Sequence, residues 1–401
     1  MSKMETPREA DAILRTCSYH RGTYYFPLFE NDLSDVPESL GQFFDSPTSR
    51  TGILGRLPAE LVAIVASHMD IISFQHFRQV SRYARAVATG VPEYQQVLQH
   101  GLEGVKALLH GNEFSYKTLY NVLITPNCEL CGSFGGLLFL PTCTRCCFNC
   151  LKTAPELAIL EKRLIDVWYP RMIQGPGGYQ LSEVEQALES KETRSLSIHE
   201  TLKRTRDQWT RVKLDAVLAS DVFKAYGTCG DIDEEAVKVL EKAYFHLRLG
   251  SCIGYPWLNL KTASTERGVS CKGCHAAYIW DKPDEEDPER VYDWPNISPE
   301  YHDRDRAFSK QGFQVHFKSC EYAQKLWSSS DGGTITIQDD VFVKRGGCYW
   351  SHWQMGAYKR HHISGWMLRE GPMWLGPVGG YHQIRKYFGP LATESFDWTL
   401  R

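Results

Sequence analysis

The spacing of apolar positions predicts short helices after residue 52. Leu61, Ile64 and Val65 recur three and four residues apart, which places them on one face of a helix. Pro58 suits the first turn of this helix, because its missing N–H has no partner to lose there. A second helix continues the pattern with Phe74, Phe77, Val80 and Ala84. These helices contain too few residues to bury a full core alone.

The rest of the chain is more varied. Further helices are predicted in four places: the linker through Leu123, PELAILEKRLIDVW, the stretch opened by a Ser182–Glu185 capping box, and DEEAVKVLEKAYFHLRL. Residues 281–306 are acidic and rich in turn residues, so we expect an exposed loop there. TITIQDDVFV alternates apolar and polar residues as a strand does. Residues 1–50 have the loose polar pattern of a flexible tail.

Composition and charge are those of an ordinary globular protein. The 401 residues allow two or three domains, with 42% hydrophobic and 23% charged residues. A net charge of -3 gives no global field that favours nucleic acid or an anionic membrane, so neither is expected as a partner. No secretory signal is visible, and the apolar runs are too short to cross a bilayer. We expect a cytoplasmic or nuclear location.

The cysteines are clustered. Six of the 13 fall between Cys128 and Cys150, which indicates metal ligation in a reducing compartment. Cys128 and Cys131 form a CxxC pair followed by Gly132, and two thiolates at this spacing can bind one tetrahedral ion. Two other pairs could complete a four-cysteine site: Cys143 with Cys146, or Cys147 with Cys150.

The spacing favours Cys147 and Cys150 as the second pair. Fifteen residues separate Cys131 from Cys147 but only 11 separate it from Cys143, and the longer gap fits the usual spacing. Cys147 and Cys150 also precede a predicted helix, whose positive N-terminal end stabilises thiolates. Four thiolates with no open position describe a structural zinc site, not a catalytic one.

A second zinc site is predicted further along the chain. Cys271 and Cys274 form another CxxC pair, and His316 and Cys320 lie four residues apart, on the same face of a helix. Three thiolates and one imidazole are a ligand set that zinc accepts. The 41 residues between the two halves are then an insertion. His275 is the alternative to His316. We therefore expect two structural zinc ions as cofactors.

The sequence contains no recognisable catalytic motif. No P-loop, GxSxG or HExxH string occurs. Packing or surface roles are expected for the histidines of the aromatic C-terminal region, His352, His361, His362 and His382. We therefore expect a binding protein and not an enzyme.

One part of the chain resembles a known family. The string Leu57-Pro58-Ala59-Glu60-Leu61, with Ile64 after it and Arg78-Gln79-Val80-Ser81-Arg82 closing it, resembles an F-box over residues 52–97. The segment CELCGSFGGLLFLPTCTRCCFNC is similar to the one that follows the F-box in many fungal F-box proteins. The resemblance implies three helices that pack onto the adaptor subunit of a cullin-RING ubiquitin ligase.

The resemblance also implies a role. The chain would be the substrate-recognition subunit of that ligase, binding an unknown protein target through its C-terminal region. The residues that match adaptor-facing positions of the family are Leu57, Pro58, Leu61, Ile64, Phe74 and Val80. The alternative is a zinc-containing nucleic-acid-associated or transcription-regulating protein, which would show a basic face beside the four-cysteine site.

The fold class that follows is mainly α, with small zinc-stabilised modules and a little β, in a multi-part α+β arrangement. The predicted parts are a flexible tail at 1–50, the F-box at 52–97, a four-cysteine zinc module with its following helix at 120–170, a helical region at 180–250, a second zinc-tied region at 260–330 and an aromatic, glycine-rich C-terminal region at 331–401.

Overall fold

A computed structural model describes eleven stretches of the chain: 7–22, 56–108, 114–161, 173–174, 195–205, 208–222, 231–232, 248, 251–280, 303–344 and 346–347. The chain divides into two units. The larger unit comprises residues 1–29, 147–251 and 268–401, and the smaller unit comprises residues 30–146 and 252–267. The protein is helix-rich with small sheets, which confirms the mixed α+β class.

The described helices are α1 (Pro7–Cys17), α2 (Ala59–Ser67), α3 (Ile71–Val80), α4 (Arg82–Thr89), α5 (Pro92–His100), α6 (Leu102–Leu108), α7 (Tyr116–Ile124), α8 (Phe148–Thr153), α9 (Lys272–Trp280), α10 (Lys310–Phe317), α11 (Glu321–Ser329) and α12 (Val341–Lys344). The described strands are β1 (Ser18–Tyr19), β2 (Leu137–Phe139), β3 (Thr144–Cys146), β4 (Ile159–Glu161), β5 (Ile173–Gln174), β6 (Ser195–Thr205), β7 (Gln208–Leu218), β8 (Asp231–Ile232), β9 (Cys252–Gly254), β10 (Trp257–Asn259), β11 (Ser264–Glu266) and β12 (Ser270–Cys271).

Side-chain caps fix the starts of three helices in the smaller unit. Asp70 accepts a hydrogen bond from the Ser73 N–H at 2.8 Å at the start of α3. Ser81 caps α4 and Ser115 caps α7 in the same way. Each cap satisfies an N–H group that has no partner inside its helix. The short polar residues between the apolar runs therefore divide this region into separate helices.

The core of the smaller unit contains an aromatic trio. The rings of Phe74, Tyr94 and Tyr116 lie with centroids 4.8–5.0 Å apart, and all three residues are fully buried. Gln75 donates a 2.5 Å hydrogen bond to the Tyr116 hydroxyl. The backbone N–H of Ile71 also donates to the carbonyl of Phe114. Helix α7 thus completes the core beneath α3 and α5.

A three-stranded sheet with the order β3-β2-β9 carries the buried residue Arg145. Its guanidinium donates to four carbonyl oxygens, at distances of 2.6–3.2 Å: Val122, Gly135, Tyr255 and Pro256. Burial lowers the pKa of Arg145 to about 10. A Cβ on Gly135 would lie 2.7 Å from the Arg145 side chain, so this approach requires glycine.

The larger unit joins the N-terminal residues to a distant part of the chain. Strand β1 pairs with β12 in antiparallel register, with Ser18 opposite Cys271 and Tyr19 opposite Ser270. Helix α1 buries Ile13 and Cys17 in a core completed by α10 and α11. The prediction of a flexible tail is therefore wrong for residues 7–22. The remainder of residues 1–50 lies outside the described residues.

The predicted helical region at 180–250 is wrong for residues 195–205 and 208–218, which form strands. Strands β6 and β7 form an antiparallel pair, and β4 adds to β7. In the register, Leu196 lies opposite Ala216 and Ile198 opposite Leu214. These apolar residues alternate with polar ones, and that period of two favours strands. The helix predicted at DEEAVKVLEKAYFHLRL lies outside the described residues except for position 248, which is helical.

Three shorter predictions are also corrected. PELAILEKRLIDVW begins with a single 3₁₀ turn and continues into β4 as far as Glu161, beyond which it is not described. TITIQDDVFV forms no strand; it ends in α12, because Asp340 accepts from the Val343 N–H and starts a helix. In the acidic segment 281–306, Arg304 and Asp305 are buried, not exposed.

Asp305 is the centre of a buried ion cluster in the larger unit. Its carboxylate lies 2.5 Å from Arg21, 2.7 Å from Lys152 and 3.1 Å from Arg304. Burial opposes its ionisation, but these three cations outweigh that effect and hold the pKa of Asp305 well below its usual range. The cluster links α8 and the N-terminal residues to the segment before α10.

Candidate metal centres and apolar ridge

An apolar ridge runs along α2 and the residue that precedes its N-terminal turn. We define it as Leu57, Leu61, Ile64 and Val65, all exposed, with Leu61 at 48% and Ile64 at 55%. The opposite side of α2 buries Val62 and Ala66. The helix is therefore apolar on both faces, although only one of them packs against its own fold.

The structure separates the predicted adaptor-facing residues into two groups. Leu57, Pro58, Leu61, Ile64 and Val80 are all exposed, and Val80 is 71% exposed at the end of α3. Phe74 is fully buried between Tyr94 and Tyr116, so the prediction that it faces a partner is wrong. Val65 also belongs to the ridge. Its spacing predicts that it shares a face with Leu61 and Ile64, but it is not among the predicted adaptor-facing residues.

The first cluster brings together Cys128, Cys131, Cys147 and Cys150, whose sulfur atoms all lie within 4.8 Å of one another. Gly132 has φ of 72° and its N–H donates to the Cys128 carbonyl, which closes the first turn. Cys147 caps α8, where its sulfur accepts from the Cys150 N–H at 3.3 Å.

The geometry distinguishes the two alternative cysteine pairs. Cys143 and Cys146 lie outside the first cluster. Cys143 is buried at a left-handed turn with φ of 51°, and burial raises its pKa to about 12. Cys146 lies in β3, opposite Leu137. The preference for Cys147 and Cys150 thus agrees with the grouping of the sulfur atoms.

The second cluster brings together Cys271, Cys274, His316 and Cys320, also with ligand atoms within 4.8 Å of one another. The sulfur of Cys320 lies 3.8 Å from that of Cys271 and 3.9 Å from that of Cys274. Four thiolates at the zinc–sulfur distance of 2.3 Å on a tetrahedron are about 3.8 Å apart. The sulfur spacing therefore fits one zinc ion.

Four elements position these ligands. Cys271 ends β12 and Cys274 lies in the first turn of α9, where its N–H donates to the Cys271 sulfur at 3.4 Å. His316 lies in the last turn of α10, and its Nε2 is 3.2 Å from the Cys274 sulfur. Cys320 precedes α11. The ligands meet because β12 and α10 end, and α9 and α11 begin, at one point.

Neighbouring groups orient His316 within the second cluster and hold His275 outside it. The His316 ring stacks on Phe308 with centroids 4.3 Å apart. His275 lies outside the cluster; its Nε2 is 2.6 Å from Asp340 and its ring stacks on Phe342. The alternative that His275 replaces His316 therefore does not agree with the geometry.

The close approach of the three sulfur atoms in the second cluster favours a bound cation. Hydrogen bonds from Cys271 and Cys274 lower the pKa of the Cys320 thiol. Hydrogen bonds with Cys271 and Cys320, together with burial, raise the pKa of Cys274. The sulfurs are thus too close to ionise independently, and a bound cation would relieve that repulsion. The donor set and spacing both fit zinc.

Two basic residues beside the first cluster are not available to nucleic acid. Arg145 is fully buried and bonded to carbonyl groups, and Lys152 is buried and paired with Asp305. The other two basic residues of this region, Lys162 and Arg163, lie outside the described residues. The basic face that the nucleic-acid alternative requires is thus not formed by Arg145 and Lys152.

Comparison with known proteins assigns one domain. An F-box domain matches residues 54–96, which confirms the F-box resemblance in that part of the chain. This match spans α2, α3, α4 and most of α5 and includes the whole apolar ridge. No curated protein and no solved structure matches the chain. Among the described residues, no helix is long and apolar enough to cross a bilayer.

Proposed function

We propose that this protein is the substrate-recognition subunit of a cullin-RING ubiquitin ligase. F-box domains bind adaptor subunits in cullin complexes, and the F-box domain at residues 54–96 suggests this role. The observation that carries the proposal is the exposure of Leu57, Leu61, Ile64 and Val65. Exposed apolar side chains in one short helix are stabilised when another protein covers them.

The remaining parts of the proposal concern target and location. The C-terminal region at 331–401 binds an unknown protein target. The protein thereby holds the target close to the enzyme that carries ubiquitin, and it performs no catalytic step itself. Thiolate ligands require a reducing compartment, which supports a cytoplasmic or nuclear location.

The adaptor interaction is tested by pull-down with the purified ligase adaptor. The double variant Leu61→Asp, Ile64→Asp places two charges on the apolar ridge, so we expect it to lose the complex that the native chain forms. Leu260→Asp is the matched control, because Leu260 is 59% exposed in the turn between β10 and β11. Failure of the native chain to bind the adaptor would refute the proposal.

We also propose that each cluster holds one structural zinc ion. In the first cluster the ligands are Cys128, Cys131, Cys147 and Cys150, and in the second they are Cys271, Cys274, His316 and Cys320. Bound zinc would neutralise the crowded thiolates and hold the joined segments together. Metal analysis should find two zinc ions per chain, and one each in Cys128→Ser and Cys271→Ser. An unchanged count in either variant contradicts the grouping.

A further inference from the structure

The N-terminal segment, residues 7–22, contacts every ligand-bearing element of the second cluster. Ser18 in β1 pairs with the ligand Cys271. The Gln314 amide on α10, two residues before His316, donates to the carbonyl of Ala10 at 2.7 Å. The Cys17 thiol donates to the carbonyl of Ala323, three residues after Cys320, at 3.4 Å.

These contacts share one small core with the cluster. Ile13 and Cys17 pack with Phe313, Phe317 and Ala323. Cys271 and Cys274 belong to the same core. Gly273, between these two ligands, approaches the backbone of Ala323 so closely that a Cβ could not be accommodated. The ligand positions and the surface on which α1 docks are therefore set by the same few residues.

The elements that form this surface cannot hold it alone. Helices α9, α10 and α11 have 9, 8 and 9 residues, lengths at which isolated helices are marginal in water. The strand pair of β1 and β12 has only two residues on each side. The cluster is the point at which β12, α9, α10 and the start of α11 meet.

We propose that zinc in the second cluster controls the docking of residues 7–18, so that this segment associates with β12, α10 and α11 only when the metal is bound. The inference rests on the proposed zinc occupancy of that cluster. His20, whose ring nitrogen lies 3.0 Å from the Gly268 carbonyl oxygen, and Arg21, paired with Asp305, hold the following residues independently. Release is therefore confined to α1 and β1.

Hydrogen exchange of the full chain tests this directly. In the zinc-loaded protein we expect the amides of residues 11–18 to be protected, and in Cys320→Ser we expect them to exchange at the rate of an unfolded peptide. The helices of the F-box, residues 59–89, should keep their protection in both. Cys128→Ser is the matched control, because it removes a ligand from the first cluster only.

Thermodynamic linkage between zinc binding and docking supplies a second test, in which the docking surface is changed and zinc binding is measured. If metal binding favours docking, docking must favour metal binding by the same factor, roughly 5- to 150-fold. Ile13→Asp, which places a charge in the shared core, should weaken zinc binding at the second cluster by a factor in that range. Arg15→Gln, on the exposed side of α1, should leave it unchanged.

The outcomes are distinguishable. Selective loss of protection in Cys320→Ser together with weaker zinc binding in Ile13→Asp supports the inference. Retained protection in a Cys320→Ser chain that has lost one zinc ion overturns it, as does equal loss in Cys128→Ser. A native chain that binds no zinc at the second cluster refutes both the proposed zinc site and this inference, whereas adaptor binding is measured separately.

Discussion

At the scale of single residues, Asp305 joins segments that are far apart in the sequence. Arg21 and Lys152 reach its carboxylate from 284 and 153 residues away. Asp305→Asn would leave these cations buried without their counter-charge, and we expect a loss of about 3–5 kcal/mol in the free energy of unfolding. Urea denaturation measures it. Asp303→Asn, on an exposed neighbour, should change stability by less than about 0.5 kcal/mol.

The same residue gives a pH dependence with a definite sign. The folded pKa of Asp305 lies below the value of about 3.9 for an unfolded aspartate. Its stabilisation is therefore complete above that value and is lost as the pH falls below it. The difference in the free energy of unfolding between the native chain and Asp305→Asn should be constant from about pH 7 to 5. It should become smaller below about pH 4. A difference that widens in acid would contradict the ion cluster.

The cysteine pairs in and beside the first cluster allow a direct comparison. Cys147→Ser removes a ligand atom, so we expect the chain to lose one zinc ion by metal analysis. Cys143→Ser changes a buried thiol outside the cluster and should retain both ions. The reverse result would mean that Cys143 and Cys146 complete the site.

Local spacing was sufficient to predict which residues come together in the two clusters, but not which charged residues are buried. Pairs such as Cys271 and Cys274 are visible in any four-residue window, and His316 and Cys320 lie within one helical turn. Asp305 could not be recognised, because its acidic neighbours in the sequence are typical of a solvated loop. Asp305 is buried together with Arg21 and Lys152, which come from distant segments of the sequence.

At the scale of secondary-structure elements, α7 belongs to the folding unit of the F-box although it lies beyond residue 96. Tyr116→Ala would empty the space between Phe74 and Tyr94, and we expect it to cost about 3–5 kcal/mol. Lys117→Ala changes the exposed neighbour and should be close to neutral. Thermal unfolding would show this, and a stable Tyr116→Ala chain would mean that α7 is dispensable.

Apolar spacing was enough to predict helices in the smaller unit, but the caps that divide them were not recognised. Helices α3, α4 and α7 begin at Asp70, Ser81 and Ser115, whose side chains cap them. Strands β6 and β7 were mistaken for helices, because charged residues spaced along them suit a solvated helix as well as a strand. Their pairing with each other and with β4 decides the outcome, and that contact is not local.

At the scale of the whole chain, the burial of Phe74 and the docking of α1 were missed for the same reason. Phe74 is buried by Tyr116, and α1 packs against α10 and α11. These partners are distant in the sequence, so local periodicity does not indicate the contacts. The exposed Leu61 and Ile64 were predictable for the opposite reason. Their spacing defines a face of the helix, and none of the segments that the structure describes covers it.

The pairing of Ser18 with Cys271 has a consequence for biosynthesis. The two residues are 253 positions apart, so the ribosome adds β12 long after β1 has emerged. At about 5–20 residues per second, α1 waits on the order of 10–50 s for its partner. During that interval the face of α1 that bears Ile13 and Cys17 is accessible to chaperones. The helices of the smaller unit can fold before α1 docks.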